Sequence, residues 1–174
     1  MVVAASRAFQ KASCSSGVIA MTCSRAAMTM HWANREVLRS LRDSPAARET
    51  ALPLMSHILV GEHIWLSRLK REQVSRPVWP HLTLDECEAL AAESADNFAA
   101  FFQGLGESDL DATVRFQDGK GMEYTMAIVD ILIHIATHGA YHRGQVATAV
   151  ARSGGQSVNT DYINFARTVE PIEG

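Results

Sequence analysis

The sequence predicts an all-α four-helix bundle with a small β-hairpin before the last long helix, and three observations predict it. Apolar residues recur at helical spacing in four long segments, each closed by proline or glycine. A run of capping-box form opens the third of them. Before the fourth, helical spacing gives way to alternation around Asp118-Gly119-Lys120-Gly121, the composition of a tight turn.

The first helix is read from Met30, through Trp32, Val37, Leu38 and Leu41, and stops at Asp43-Ser44-Pro45, where proline restricts the residue before it. A second covers about 50–71 with Leu54, Ile58, Trp65 and Leu69 on one side, and Pro77 and Pro80 end that region. The third starts at Thr83, where Thr83 answers the amide of Glu86 and Glu86 reaches back. It carries Leu84, Leu90, Phe98, Phe101 and Phe102 and is closed by Gly104 and Gly106. Val114 and Phe116 belong to the first strand of the hairpin. The last long helix covers about 125–152 and ends at Ser153-Gly154-Gly155, and residues 161–166 form a further short turn of helix.

A chain of 174 residues is one domain, and 47% hydrophobic with 20% charged residues supports a core of its own. We place that domain at 28–174. Residues 1–27 have no acidic residue and only Arg7, Lys11 and Arg25 as charges, sparse for an organelle presequence. They are expected to be a disordered extension, or to lie upstream of a start at Met28 or Met30. The net charge of −3, with no basic stripe interleaved with aromatics, excludes a dedicated nucleic-acid module. The longest apolar stretch, 126–136, is broken by Asp130 and His134 and falls short of the ~20 residues that cross a bilayer. Cys14, Cys23 and Cys87 have spacings of neither a zinc ribbon nor a disulfide framework, so a reducing, cytoplasmic setting is expected.

Histidine is where chemistry concentrates: His134, His138 and His142 fall within one short run of the last helix. At four-residue spacing His138 and His142 stand about 40° and one turn apart, so their rings can meet a common point. Ile131, Ile135, Val146 and Ala149 share their stripe, which aims both rings at the bundle interior. A buried ring needs a partner, and a divalent metal supplies one, since imidazole suits zinc, nickel, copper or iron. Catalytic sites typically use three protein ligands and keep a position open. His57 is the natural third, in a row His57, Gly61, Trp65 where Gly61 leaves room above the ring. Spacing alone equally admits His138 and His142 as packing residues bonded to carbonyls.

His-Gly-Ala-Tyr-His has no Glu after its first His, which excludes a zincin-type protease. No Ser, Cys or carboxylate pattern supplies a covalent nucleophile with its base, and Cys87 receives no role. His134 reads as a partner of His138 or as packing; His63 as surface; His31 and His81 as structural. Glu62 and Tyr141 either orient ligands and move protons or lie on an exposed face. Arg143 pairs with a carboxylate that fixes the helix ends, and Trp32 and Trp65 belong to the core.

The run His138-Gly-Ala-Tyr-His142-Arg143-Gly144-Gln145 resembles the His-x-x-x-His-Arg-Gly-Gln signature of the DinB family of four-helix metalloproteins. His31-Trp-Ala-Asn-Arg35, His57-Ile-Leu-Val-Gly-Glu62-His-Ile-Trp65-Leu and Thr160-Asp-Tyr-Ile163 extend the resemblance over about 29–168. It implies a DinB-like bundle with metal ligands His57, His138 and His142 and a divalent cation, zinc, nickel or another first-row ion. It also implies a homodimer and a metal-dependent enzyme, a hydrolase or a transferase using a low-molecular-weight thiol or another small molecule. The alternative is a non-catalytic stress-response protein whose metal is structural.

Overall fold

Helix α1 spans Ser16–Asp43, α2 Arg48–Leu69, α3 Leu84–Gln103 and α4 Ile128–Arg152, with strands β1 (Thr113–Gln117) and β2 (Glu123–Ala127) before α4 and a short α5 (Tyr162–Val169) after it. The computed structural model describes residues 16–74 and 77–169. The predicted all-α bundle and its hairpin are both present. The first helix begins earlier than apolar spacing foretold. It runs through 16–27, part of the segment expected to be disordered, and buries Ala27 in the core. Residues 1–15 of that segment lie outside the described residues.

Local chemistry explains the breaks. After Asp43 the chain makes a 3-10 turn at Pro45–Ala47, and the Arg48 guanidinium donates to the carbonyls of Leu41 (3.0 Å) and Arg42 (2.6 Å) at the end of α1, where Leu41 also accepts from the Ser44 amide at 3.3 Å. At Thr83 the capping box is complete: Thr83 Oγ1 accepts from the Glu86 amide at 3.2 Å, and Glu86 Oε2 accepts from the Thr83 amide at 2.7 Å. Helix α4 stops where Gly154 takes φ +79° and the Gly155 amide returns to the Val150 carbonyl at 3.0 Å.

The hairpin pairs Thr113 with Ala127 through Gln117 with Glu123. It is clamped on the end of α2 by Arg68, whose guanidinium carbon lies 4.5 Å from the Trp65 ring centre and 4.4 Å from that of Phe116. Helix α5 returns to α1, with Phe165 against Trp32. No helix among the described residues is long and apolar enough to cross a membrane.

Helix α2 packs chiefly on α4, and α1 on α3. Between them lie two apolar clusters. One gathers Val37, Leu41, Met55, Leu59, Cys87 and Val150; the other gathers Met30, Leu69, Phe98, Ile128, Ile131 and Ile135 beneath the hairpin. Each helix feeds both clusters and places a buried polar residue between them: Asn34, Glu62, Ser94 and Arg143. Thr83→Ala should remove one half of the capping box and cost about 1 kcal/mol, read as a lower urea midpoint at unchanged slope.

Candidate metal centre

Antiparallel packing of α2 on α4 sets the geometry of the site. His57 faces the pair His138 and His142, and Gly61 lies one turn further along α2 beside the His138 ring. A Cβ at Gly61 would stand 3.7 Å from His138 Cε1, an ordinary contact, so the room this glycine leaves is over His138 rather than over His57. The three rings converge: one nitrogen of each lies within 4.8 Å of the others, and the Nε2 atoms of His57 and His138 are 3.1 Å apart. Ligands at 2.0–2.1 Å around a tetrahedral ion stand roughly 3.3 Å from one another. The cluster can hold a metal ion.

The groups behind the rings decide which nitrogens are free. His57 Nδ1 lies 2.9 Å from the Val78 carbonyl, and an oxygen there can only accept, so Nδ1 carries the proton and Nε2 presents a lone pair. His142 Nδ1 lies 2.7 Å from Gln145 Oε1, with the same consequence. Trp79 stacks on His57, ring centres 3.8 Å apart and planes within 4°, and shields one face of that ring. His57 is buried, whereas His138 and His142 are only half-buried, which leaves the cluster open to solvent on the α4 side.

Electrostatics favour neutral rings. Burial first, and then the neighbouring His142, His57 and His134, push His138 down to about 4. Burial also lowers His57, with the Val78 carbonyl opposing and His142 assisting. A neutral imidazole is the form that binds a metal.

A family model described as DinB family matches residues 41–173. The chain belongs to the DinB family. It is similar to Protein DinB of Bacillus subtilis (strain 168), 25% identical over 153 residues that cover 75% of this chain and 86% of that protein. The DinB match takes in His57, His138 and His142 together with Val78, Trp79 and Gln145.

Several expectations need correction. The buried stripe of α4 runs Ile131, Ile135, Gly139, Arg143, Val146, Val150, so His138 and His142 flank the core instead of pointing into it. Glu62 lies on no exposed face: it is 2% accessible, with Oε1 accepting from Asn34 Nδ2 at 2.9 Å and Oε2 from Ser94 Oγ at 3.0 Å. Arg143 sits at mid-bundle rather than at helix ends, its Nη1 donating to Asn34 Oδ1 at 3.1 Å. Burial raises the Glu62 carboxyl, while Asn34, Arg143 and Ser94 pull it back. Burial likewise lowers Arg143, and Glu62 opposes. Gly139 is where a Cβ would meet Arg143 Nη1 at 2.8 Å, so this glycine makes the space the guanidinium occupies.

The remaining candidates are simpler. Tyr141 is exposed, with its ring 5.0 Å from that of His142. His134 packs between the Trp65 and His138 rings, at 5.0 and 5.2 Å. His81 is exposed, His63 is half-buried and outside the cluster, and His31 packs edge-on to Phe98. Trp32 and Trp65 are half-buried at the margin of the core. Sequence reasoning missed Val78 and Trp79, which come from the irregular chain before α3. A carbonyl contact leaves no mark in sequence, and one exposed tryptophan looks like any other.

Two outcomes follow. His138 titrates at about 4 in the folded chain against 6.5 unfolded. Between those values the unfolded state binds the extra proton, so metal-free protein should lose stability as pH falls from 6.5 toward 4. Urea midpoints of chelator-treated protein measure this, and His138→Asn should flatten the profile. Asn34→Ala strips hydrogen bonds from both buried charges and should cost roughly 3 kcal/mol or more, measured by equilibrium unfolding.

Proposed function

We propose that this DinB-family protein binds one divalent cation, zinc, nickel or another first-row ion, through His57, His138 and His142, and uses it for chemistry on a small molecule. What carries the reading is the convergence of three imidazole nitrogens in a cluster that is buried on one side and open on the other. Three nitrogen donors suit several first-row ions. When bound, such an ion lowers the pKa of a coordinated water or thiol and yields a nucleophile near neutral pH.

The chain's own residues prepare the place. Val78 and Gln145 hold two rings in the tautomer whose Nε2 is bare. The depressed basicity of His138 keeps its nitrogen available at neutral pH. Trp79 covers His57, and the half-buried rings of α4 leave an approach for water or a low-molecular-weight thiol. The reaction class is hydrolysis or thiol-dependent transfer, in a reducing compartment suited to the buried free thiol of Cys87. One observation favours a second reading, a non-catalytic protein with a structural ion: the ligands bridge two helices that already pack together, so an ion would staple them.

Elemental analysis of untagged protein tests the ligand set. Wild type should carry about one divalent ion per chain and His138→Ala close to none; equal content in both overturns the assignment. Cobalt-substituted protein then separates the two readings. A spectral change on adding thiol marks an open, reactive position. An unchanged spectrum, with His142→Ala markedly less thermostable, marks a structural ion.

A further inference from the structure

The seam between α2 and α4 continues past the histidines as a groove of ≈460 Å³. Gln145, the residue that holds His142 Nδ1, lines its near end, and Arg152 and Ser153 line the far end. Leu54, Ala47 and Ala149 give it an apolar floor, with Ala46 and Thr50 at its rim. None of the three histidines lines the groove, and the link between them is Gln145, which borders the groove and holds His142 Nδ1 at 2.7 Å. Arg152 stands seven positions along the helix from Gln145, a rise of roughly 10 Å.

Charge gives the groove a direction. Arg152 is the one charged residue among those that line it. It is exposed and makes no ion pair or side-chain hydrogen bond among the described residues. A guanidinium at the end of an uncharged trough matches a carboxylate in shape and charge. Arg42, by contrast, is already held by Asp85 and Glu88, and Arg39 by Glu36.

We infer that the groove receives the body of the small molecule whose reacting group sits at the histidines: an elongated, largely apolar chain ending in a carboxylate that Arg152 binds. This deepens the metal-centre reading and rests on it for the identity of the reacting end. The carboxylate end rests on the groove alone.

The test therefore has two arms. In the first, metal-free protein labelled for amide NMR is titrated with octanoate and separately with octanol. Octanoate should shift the amides of Thr50, Gln145, Thr148 and Ala149, and bind about tenfold less tightly to Arg152→Gln, a loss matching one charge-assisted contact. Octanol should bind wild type and variant alike. Equal binding of octanoate by wild type and Arg152→Gln, or shifts that fall outside the groove, overturns the proposal. Arg152 also sits in the last turn of α4, where a cation favours the helix. Its effect on stability is therefore not diagnostic, and binding is the readout.

In the second arm, cobalt-loaded protein is titrated with 8-mercaptooctanoate and with 1-octanethiol, followed by the thiolate-to-metal absorption. The carboxylate should tighten binding in wild type, and the gain should vanish in Arg152→Gln. Cobalt uptake with no octanoate binding overturns the groove and spares the metal centre. Octanoate binding with no cobalt uptake overturns the metal centre and spares the carboxylate site.

Discussion

Two opposite charges are buried at the middle of this bundle, and their placement constrains everything around them. Glu62 and Arg143 are both nearly inaccessible, and neighbouring side chains answer the carboxylate and Arg143 Nη1, while Arg143 Nε has no hydrogen-bond partner among the described residues. Asn34 spans them from α1, giving its amide hydrogen to Glu62 and its oxygen to Arg143, and Ser94 completes the carboxylate from α3. All four long helices contribute one member to a single polar layer between two apolar clusters. Sliding any helix by one turn, about 5.4 Å, would move its member into hydrocarbon and strand the others. Apolar packing tolerates such slips far better than a hydrogen-bonded charge does, so the layer specifies register more than it adds stability.

The histidine cluster draws on that register. Glu62 follows Gly61, which packs beside His138, and Arg143 follows His142 directly. On α4 the core-facing positions Gly139 and Arg143 alternate with His138 and His142, one residue round the helix each time. The same turn of α4 thus anchors the layer with one face and presents imidazoles with the adjacent one. The glycine at 139 belongs to the polar layer, leaving the space that the Arg143 guanidinium occupies. The site accordingly lies at the edge of the core, where a ring can be half desolvated and still reachable.

Much of the fold was legible because the signals are local. Thr83 and Glu86 cap α3 within one turn, Asp118 through Gly121 turn the hairpin, and Gly154 stops α4. The three histidines were legible too, two from their four-residue spacing and the third from its place on α2. The direction of the α4 stripe was misread by one position, because Gly139 and Arg143 do not look like core residues until their partners are known. Those partners, Asn34, Glu62 and Ser94, lie on three other helices, and no window of sequence contains them together. The early start of α1 left little mark in sequence, because 16–27, with Gly17, Val18, Thr22 and two serines, does not have the composition of a strong helix former.

The segment before α3 reaches the histidine cluster from outside the bundle. Pro77 and Pro80 keep this stretch out of regular structure, which leaves the carbonyl of Val78 without a helical or sheet partner and free to accept from His57. Trp79 then lies flat on the same ring, half exposed, adding apolar surface against an imidazole that must remain neutral to serve as a ligand. His142 is oriented from within its own helix by Gln145, one turn on. One imidazole is thus fixed by a loop and another by the helix that carries it. Changes in the loop can reshape the approach to the histidines while the polar layer, four helices deep, holds their spacing.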